Sequence, residues 1–180
     1  MFQNSGTIAS IHNEDGLFKA ISNEKVQILF LMNGDLLTMA KVVNKIHDAG
    51  KKVFSHVDFI KGLNPDSTGM KFVSDVIKPD GIISTRGNVI QNAKKYDLMT
   101  VQRLFLIDSH ALASGVKSIH TSSPDAVEAM PGLIPRVIKE LTKQTNIPVI
   151  SGGLFKTKEE MFLAREAGAV AVSSGNPELW

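Results

Sequence analysis

The stretch PVISGGLFKTKEE, residues 148–160, is an apolar run that breaks on two consecutive glycines and then enters the start of a helix. A β-rich run, a turn of small residues and a helical pattern make the repeating unit of parallel α/β sheets. The end of the sequence repeats the layout. AVAVSSGNPELW, residues 169–180, again carries β-branched residues followed by small ones, Ser173, Ser174 and Gly175.

Working outward from these two runs, six more strand candidates appear: TIASI (7–11), QILFLM (27–32), KVFSHVD (52–58), GIIST (81–85), LMTVQ (98–102) and AVEAM (126–130). With PVIS (148–151) and AVAVS (169–173) they make eight. Helical patterns fall between them, the clearest at residues 35–50, where Leu36, Met39, Ala40, Val43 and Ile46 share one face and Gly50 supplies the stop. Others lie at 67–77, 87–96, 103–119, 134–144 and 156–168. The start of the 103–119 pattern, RLFLIDS, reads equally as an extension of the fifth strand.

Eight strands alternating with helices predict a parallel sheet, and eight closes into a TIM-like (β/α)8 barrel. An open doubly wound sheet is the alternative. The 180 residues form one domain, residues 1–180, and fall short of the ~200 or more usual for a barrel. Only SGNPELW follows the last strand, so the eighth helix is predicted to be missing or reduced to a single turn. Either Trp180 covers the face that helix would protect, or the face meets another copy of the chain in a homo-oligomer.

Composition narrows the class. The chain is 43% hydrophobic and 21% charged, as an ordinary globular domain is, and lacks cysteine, which removes disulfides, Cys-based metal sites and thiol nucleophiles. MFQNSGTIASIHNEDG at the start has no signal-peptide layout, and no run nears the ~18 apolar residues of a membrane helix, so a cytoplasmic location without a membrane partner is expected. A net charge of +2 does not by itself mark a nucleic-acid binder. The pairs Lys51/Lys52 and Lys94/Lys95 read most simply as solvated surface, with RNA contact as the alternative.

In a barrel, the loops at the C-terminal strand ends build the ligand site, and those after strands seven and eight often cradle phosphate. Gly152 and Gly153 would let backbone N–H groups approach an anion, while Ser173, Ser174 and Gly175 offer hydroxyls and further N–H donors. Taken singly, either loop is explained by a tight turn; the pair at these two strand ends points to a phosphate. The other strand ends gather polar residues: His56 and Asp58 after strand three, Arg86 after strand four, Arg103 after strand five and Glu128 on strand six. Acids there can accept from ligand hydroxyls and bases can pair with an anion, which suits a small phosphorylated polyol. Mutual salt bridges shaping the mouth are the bland alternative for each residue. His12, His47, His110 and His120 show no metal-ligand spacing, so no metal is expected.

Six stretches in order give the chain a family likeness: FSHVDFIKGL (54–63), GIISTRGNVIQNAK (81–94), TVQRLFLIDSHAL (100–112), PDAVEAMPG (124–132), ISGGL (150–154) and GAVAVSSGNPELW (168–180). With these the whole sequence resembles the glycerol-3-phosphate-responsive antiterminators. The resemblance implies a barrel that senses glycerol 3-phosphate, needs no cofactor, and stabilises leader messenger RNA against transcription termination, switching on bacterial glycerol-use genes. A lyase or isomerase acting on a small phosphorylated polyol is the alternative class, since barrels of this layout are mostly enzymes. A Schiff-base aldolase would want a lysine at a strand end, and none of the eight runs ends in one.

Overall fold

The computed structural model describes residues 1–2 and 6–180 of the chain; residues 3–5, inside the N-terminal stretch read for a signal peptide, lie outside the described residues. Eight parallel strands close a barrel: β1 (Thr7–Ile11), β2 (Ile28–Leu31), β4 (Lys52–His56), β6 (Gly81–Ser84), β7 (Met99–Phe105), β8 (Ala126–Met130), β9 (Val149–Gly152) and β10 (Ala171–Ser174). Closure is made by β1 against β10, with Thr7 opposite Val172 and Ala9 opposite Ser174. A separate two-stranded sheet, β3 (Gly34–Asp35) with β5 (Ile60–Lys61), ties together the segments that follow β2 and β4. Each of the eight sequence-predicted strands is present.

Among the described residues seven α-helices surround the barrel: α1 (Glu14–Ser22), α2 (Met39–Asp48), α3 (Ser67–Phe72), α4 (Gly87–Lys94), α5 (Ser109–Ser122), α6 (Pro135–Gln144) and α7 (Lys158–Glu166). In the eighth position stands one 3-10 turn, Pro177–Leu179. Trp180 follows it, 8% exposed, packed among apolar residues of the outer core and donating Nε1–H to the Ser174 carbonyl at 2.7 Å. No helix among the described residues is long and apolar enough to cross a membrane.

Alternation along each strand divides the core into two shells. Ile8, Phe30, Phe54, Ile83, Val101 and Ile150 fill the lower barrel interior, while Val53, Ile82 and Val127 point outward under the helices. Phe54 packs against Phe30 and Phe2, with ring centroids 5.7 and 5.3 Å away. Gly81 makes room for it, since a Cβ at that position would stand 2.5 Å from the Phe54 ring. Each such large side chain withdrawn from water contributes about 1.5–3 kcal/mol.

Two expectations are corrected. Residues 103–105 of RLFLI are strand, because β7 runs to Phe105 and pairs residue by residue with β8 from Val101 to Phe105, and Leu106 and Ile107 belong to the connection before the helix. The helix starts only at Ser109, where Asp108 accepts the Ala111 N–H at 2.7 Å as N-cap. In addition α1, with Asn13 accepting the Gly16 N–H at 2.8 Å, is a helix absent from the sequence-based set.

Candidate functional site

One further strand position of β7, β8 and β10 above the apolar plug turns polar. Arg103 and Glu128, 6% and 0% exposed, are buried side by side at the C-terminal end of the barrel. Arg103 Nε donates to Glu128 Oε2 at 2.7 Å and Nη2 stands at ion-pair distance from the same oxygen, 2.7 Å, while Ser173 Oγ donates to Oε1 at 2.6 Å. The pair satisfies the first condition for burying charge, that each ion has a hydrogen-bonded partner. Gly152 belongs to this cluster. A Cβ there would collide with Ser173 Oγ and stand 2.8 Å from Glu128 Oε1, so the position is kept bare by its own neighbours.

Above the pair opens a cavity of ≈ 80 Å³, lined by Ser10, His12, Met32, Arg103, Glu128, Met130, Gly153, Ser173, Ser174 and Gly175. At about 30 Å³ per water, that is room for two or three waters or a group the size of a phosphate. Six of the ten sequence-predicted site residues therefore meet on one cavity: Gly153, Ser173, Ser174, Gly175, Arg103 and Glu128. Their roles differ. The Ser173 proton is committed to Glu128, whereas Ser174 Oγ accepts the Asn176 N–H at 3.1 Å and keeps its own proton to donate. Gly153 has φ of +83°, the left-handed region glycine favours.

The other three predicted residues, His56, Asp58 and Arg86, form a second group beside it. β4 ends at His56 and Val57–Phe59 is a 3-10 turn, so the two-residue spacing that put His56 and Asp58 on one side of a strand does not apply. Asp58 accepts from Ser84 Oγ (2.9 Å), the Thr85 N–H (2.8 Å), Thr85 Oγ1 (3.0 Å) and Arg86 Nη2 (2.8 Å). Burial alone would raise its pKa, but the donors from Thr85, Arg86 and Ser84 outweigh it and hold the carboxyl below its usual value. For this acid and base, mutual pairing at the mouth is the arrangement present. His56 is fully buried, its ring tilted against that of Phe59 with centroids 4.5 Å apart, and neither ring nitrogen has a hydrogen-bond partner among the described residues. Burial first and the Arg103 charge second press its pKa down to about 4, with Asp58 opposing. At neutral pH it is uncharged, and its 3.9 Å approach to Asp58 is too long for a hydrogen bond.

Sequence reasoning missed Ser10, His12, Met32 and Met130 at the cavity. His12 lies one residue past the run TIASI, beside Gly175, and that position was the available signal. Among the described residues no three His, Asp or Glu are grouped to hold a metal.

Residues 7–180 match the family model of the glycerol-3-phosphate responsive antiterminators. The chain belongs to that family. A glycerol uptake operon antiterminator regulatory protein from Listeria monocytogenes is similar to it, with 37% identity, 99% of this chain and 96% of that one covered, and a TM-score of 0.95. An antiterminator-related protein from Thermotoga maritima shares 32% identity over 100% of this chain and 99% of its own, with a TM-score of 0.85. The Escherichia coli (strain K12) protein YgcP is 32% identical across 100% of this chain and 94% of itself. Barrel enzymes are also structural neighbours, an aldolase at 12% identity and a TM-score of 0.71 among them, and at that identity the likeness is one of fold alone.

Proposed function

We propose that this family member binds glycerol 3-phosphate at the barrel mouth and in its bound form stabilises leader messenger RNA of glycerol-use genes against transcription termination. The observation that carries the ligand half is the cavity where the Gly153 and Ser174–Gly175 loops meet the Arg103–Glu128 pair. A phosphate meets loop N–H groups, the free Ser174 proton and the Arg103 cation, whose Nη1 makes no hydrogen bond among the described residues. The ligand hydroxyls meet the remaining lone pairs of Glu128. No cofactor is needed for such binding.

The same geometry supports binding over turnover. Both Glu128 oxygens already accept hydrogen bonds and no lysine lines the cavity, which leaves no unengaged carboxylate and no Schiff-base amine there; His12 is the one imidazole on its lining. Calorimetry with glycerol 3-phosphate, paired with a titration of the glycerol uptake operon's leader transcript, tests the proposal. Binding without consumption, and RNA affinity that rises with the ligand, is the expected result. Consumption of the ligand, or RNA affinity indifferent to it, overturns the reading.

A further inference from the structure

The surface that meets RNA can be read from the outer face of the barrel. Between α4 and α5 runs a groove of ≈ 350 Å³, lined by Asn88 and Gln91 from one helix and Ser114, Lys117, Ser118 and Thr121 from the other. Every one of these side chains is polar, and none is acidic. Neither α4 nor α5 contains an acidic residue along its length, nor does the six-residue α3, whereas α1, α2, α6 and α7 each do. In a chain with 18 acidic and 20 basic residues, a two-helix face carrying lysines and no carboxylate is a local departure from balance. Lys117 is exposed, and its amine has no ion-pair or hydrogen-bond partner among the described residues. Lys94 and Lys95 lie at the C-terminal end of α4, exposed but with their amines engaged, Lys94 Nζ donating to the Ser123 carbonyl and Lys95 Nζ to Asn92 Oδ1 at 3.1 Å, so Lys117 is the groove's free cation among the described residues.

The other lysine pair is excluded by its surroundings. Lys51 is 7% exposed and its Nζ donates to the Asn23 and Val26 carbonyls at 2.7 and 2.6 Å, while Lys52 pairs with Asp80 at 3.4 Å.

From the groove's chemistry, we infer that the α4–α5 face is where the protein holds RNA. The inference rests on the proposed antiterminator function and adds the place and manner of contact. Lysines supply phosphate contacts; the amides and hydroxyls between them match 2′-hydroxyls and base edges, and no aromatic lines the groove to act as a stacking platform. RNA is therefore preferred to DNA of the same sequence. The face is joined to the mouth through β7. Arg103 points inward to Glu128, and the residue before it, Gln102, points outward, donating to Ser118 Oγ of α5 at 2.8 Å beneath the groove. A ligand that pulls on Arg103 acts on the strand that supports the groove floor, the unequal interaction that ligand-dependent RNA binding requires.

The test is a fluorescence titration of the glycerol uptake operon's leader transcript, with glycerol 3-phosphate present, against wild type and the double variant Asn88→Asp, Lys117→Glu. Both sites are exposed, and an acid in the first turn of α4 suits the helix dipole, so the fold is kept. The expected result is a roughly tenfold or greater loss of RNA affinity and a salt slope lower by about one. Ligand affinity measured without RNA stays unchanged. A control pair on other helices, Lys19→Glu on α1 with Lys41→Glu on α2, makes a larger change in net charge and should cost much less. Equal RNA affinity in wild type and groove variant overturns the inference and leaves the functional reading standing, as does equal loss in the control. Failure of wild type to bind the transcript at all overturns that reading, and the inference with it.

Discussion

Gly175 has ordinary space around it: a Cβ built there would meet the His12 ring at 3.4 Å and the Ser10 carbonyl at 3.6 Å. Gly153 is different in kind, with a φ of +83° and a Cβ that would come within 2.6 Å of Met130 Cε. Substitutions at these two glycines therefore separate ligand binding from folding. Gly175→Ala should leave the urea midpoint almost unmoved while weakening glycerol 3-phosphate in calorimetry, since its methyl projects into the cavity mouth. Gly153→Ala should destabilise by about 1–2 kcal/mol, because the left-handed conformation is strained for any residue with a Cβ. Unchanged ligand affinity in Gly175→Ala would remove that loop from the binding site.

At the scale of elements, α7 begins where the Gly152–Gly153 loop ends, and its start is fixed by a capping box. Thr157 Oγ1 accepts the Glu160 N–H at 3.2 Å while Glu160 Oε2 accepts the Thr157 N–H at 3.1 Å. Thr157→Ala should cost about 1 kcal/mol in urea denaturation, and a midpoint equal to wild type would show the cap to be redundant. This element was legible in the sequence, as were all eight barrel strands, because strands covered on both faces are nearly continuous apolar runs. RLFLI was ambiguous for the same reason: the run is apolar, and only its pairing with β8 distinguishes strand from helix. The helix α1 left little trace, with only Leu17 and Ala20 buried on it. Two-residue strands such as β3 and β5 have no periodicity to detect. At the site, acids and bases at strand ends were found, but which of them pair with one another was not. Asp58 with Arg86, and Glu128 with Arg103, are partners chosen by the barrel's register, which joins residues 25 to 28 apart in sequence.

For the molecule as a whole, the buried imidazole of His56 ties stability to pH. Folding moves its pKa from an ordinary 6.5 down to about 4, mainly through burial and then through the Arg103 charge. Between those values the unfolded chain binds a proton that the folded protein refuses, so stability must fall as the solution is acidified from pH 6.5 toward 4. The full loss is at most about 3 kcal/mol at 1.36 kcal/mol per pH unit. Asp58 acts in the adjoining window. Its folded pKa lies below the ordinary 3.8 of an aspartate, so its contribution is complete above that value and disappears only as pH falls further. The decline from pH 6.5 to 4.5 therefore includes the His56 contribution without that of Asp58. Replacing His56 by Leu removes the titrating group and both unpartnered nitrogens from the interior. Urea midpoints measured from pH 7 to 4.5 should fall more steeply for wild type than for His56→Leu, with the two curves diverging as the pH drops. Groups common to both proteins cancel in that difference. Parallel curves would mean that His56 is protonated as readily in the folded barrel as in the unfolded chain.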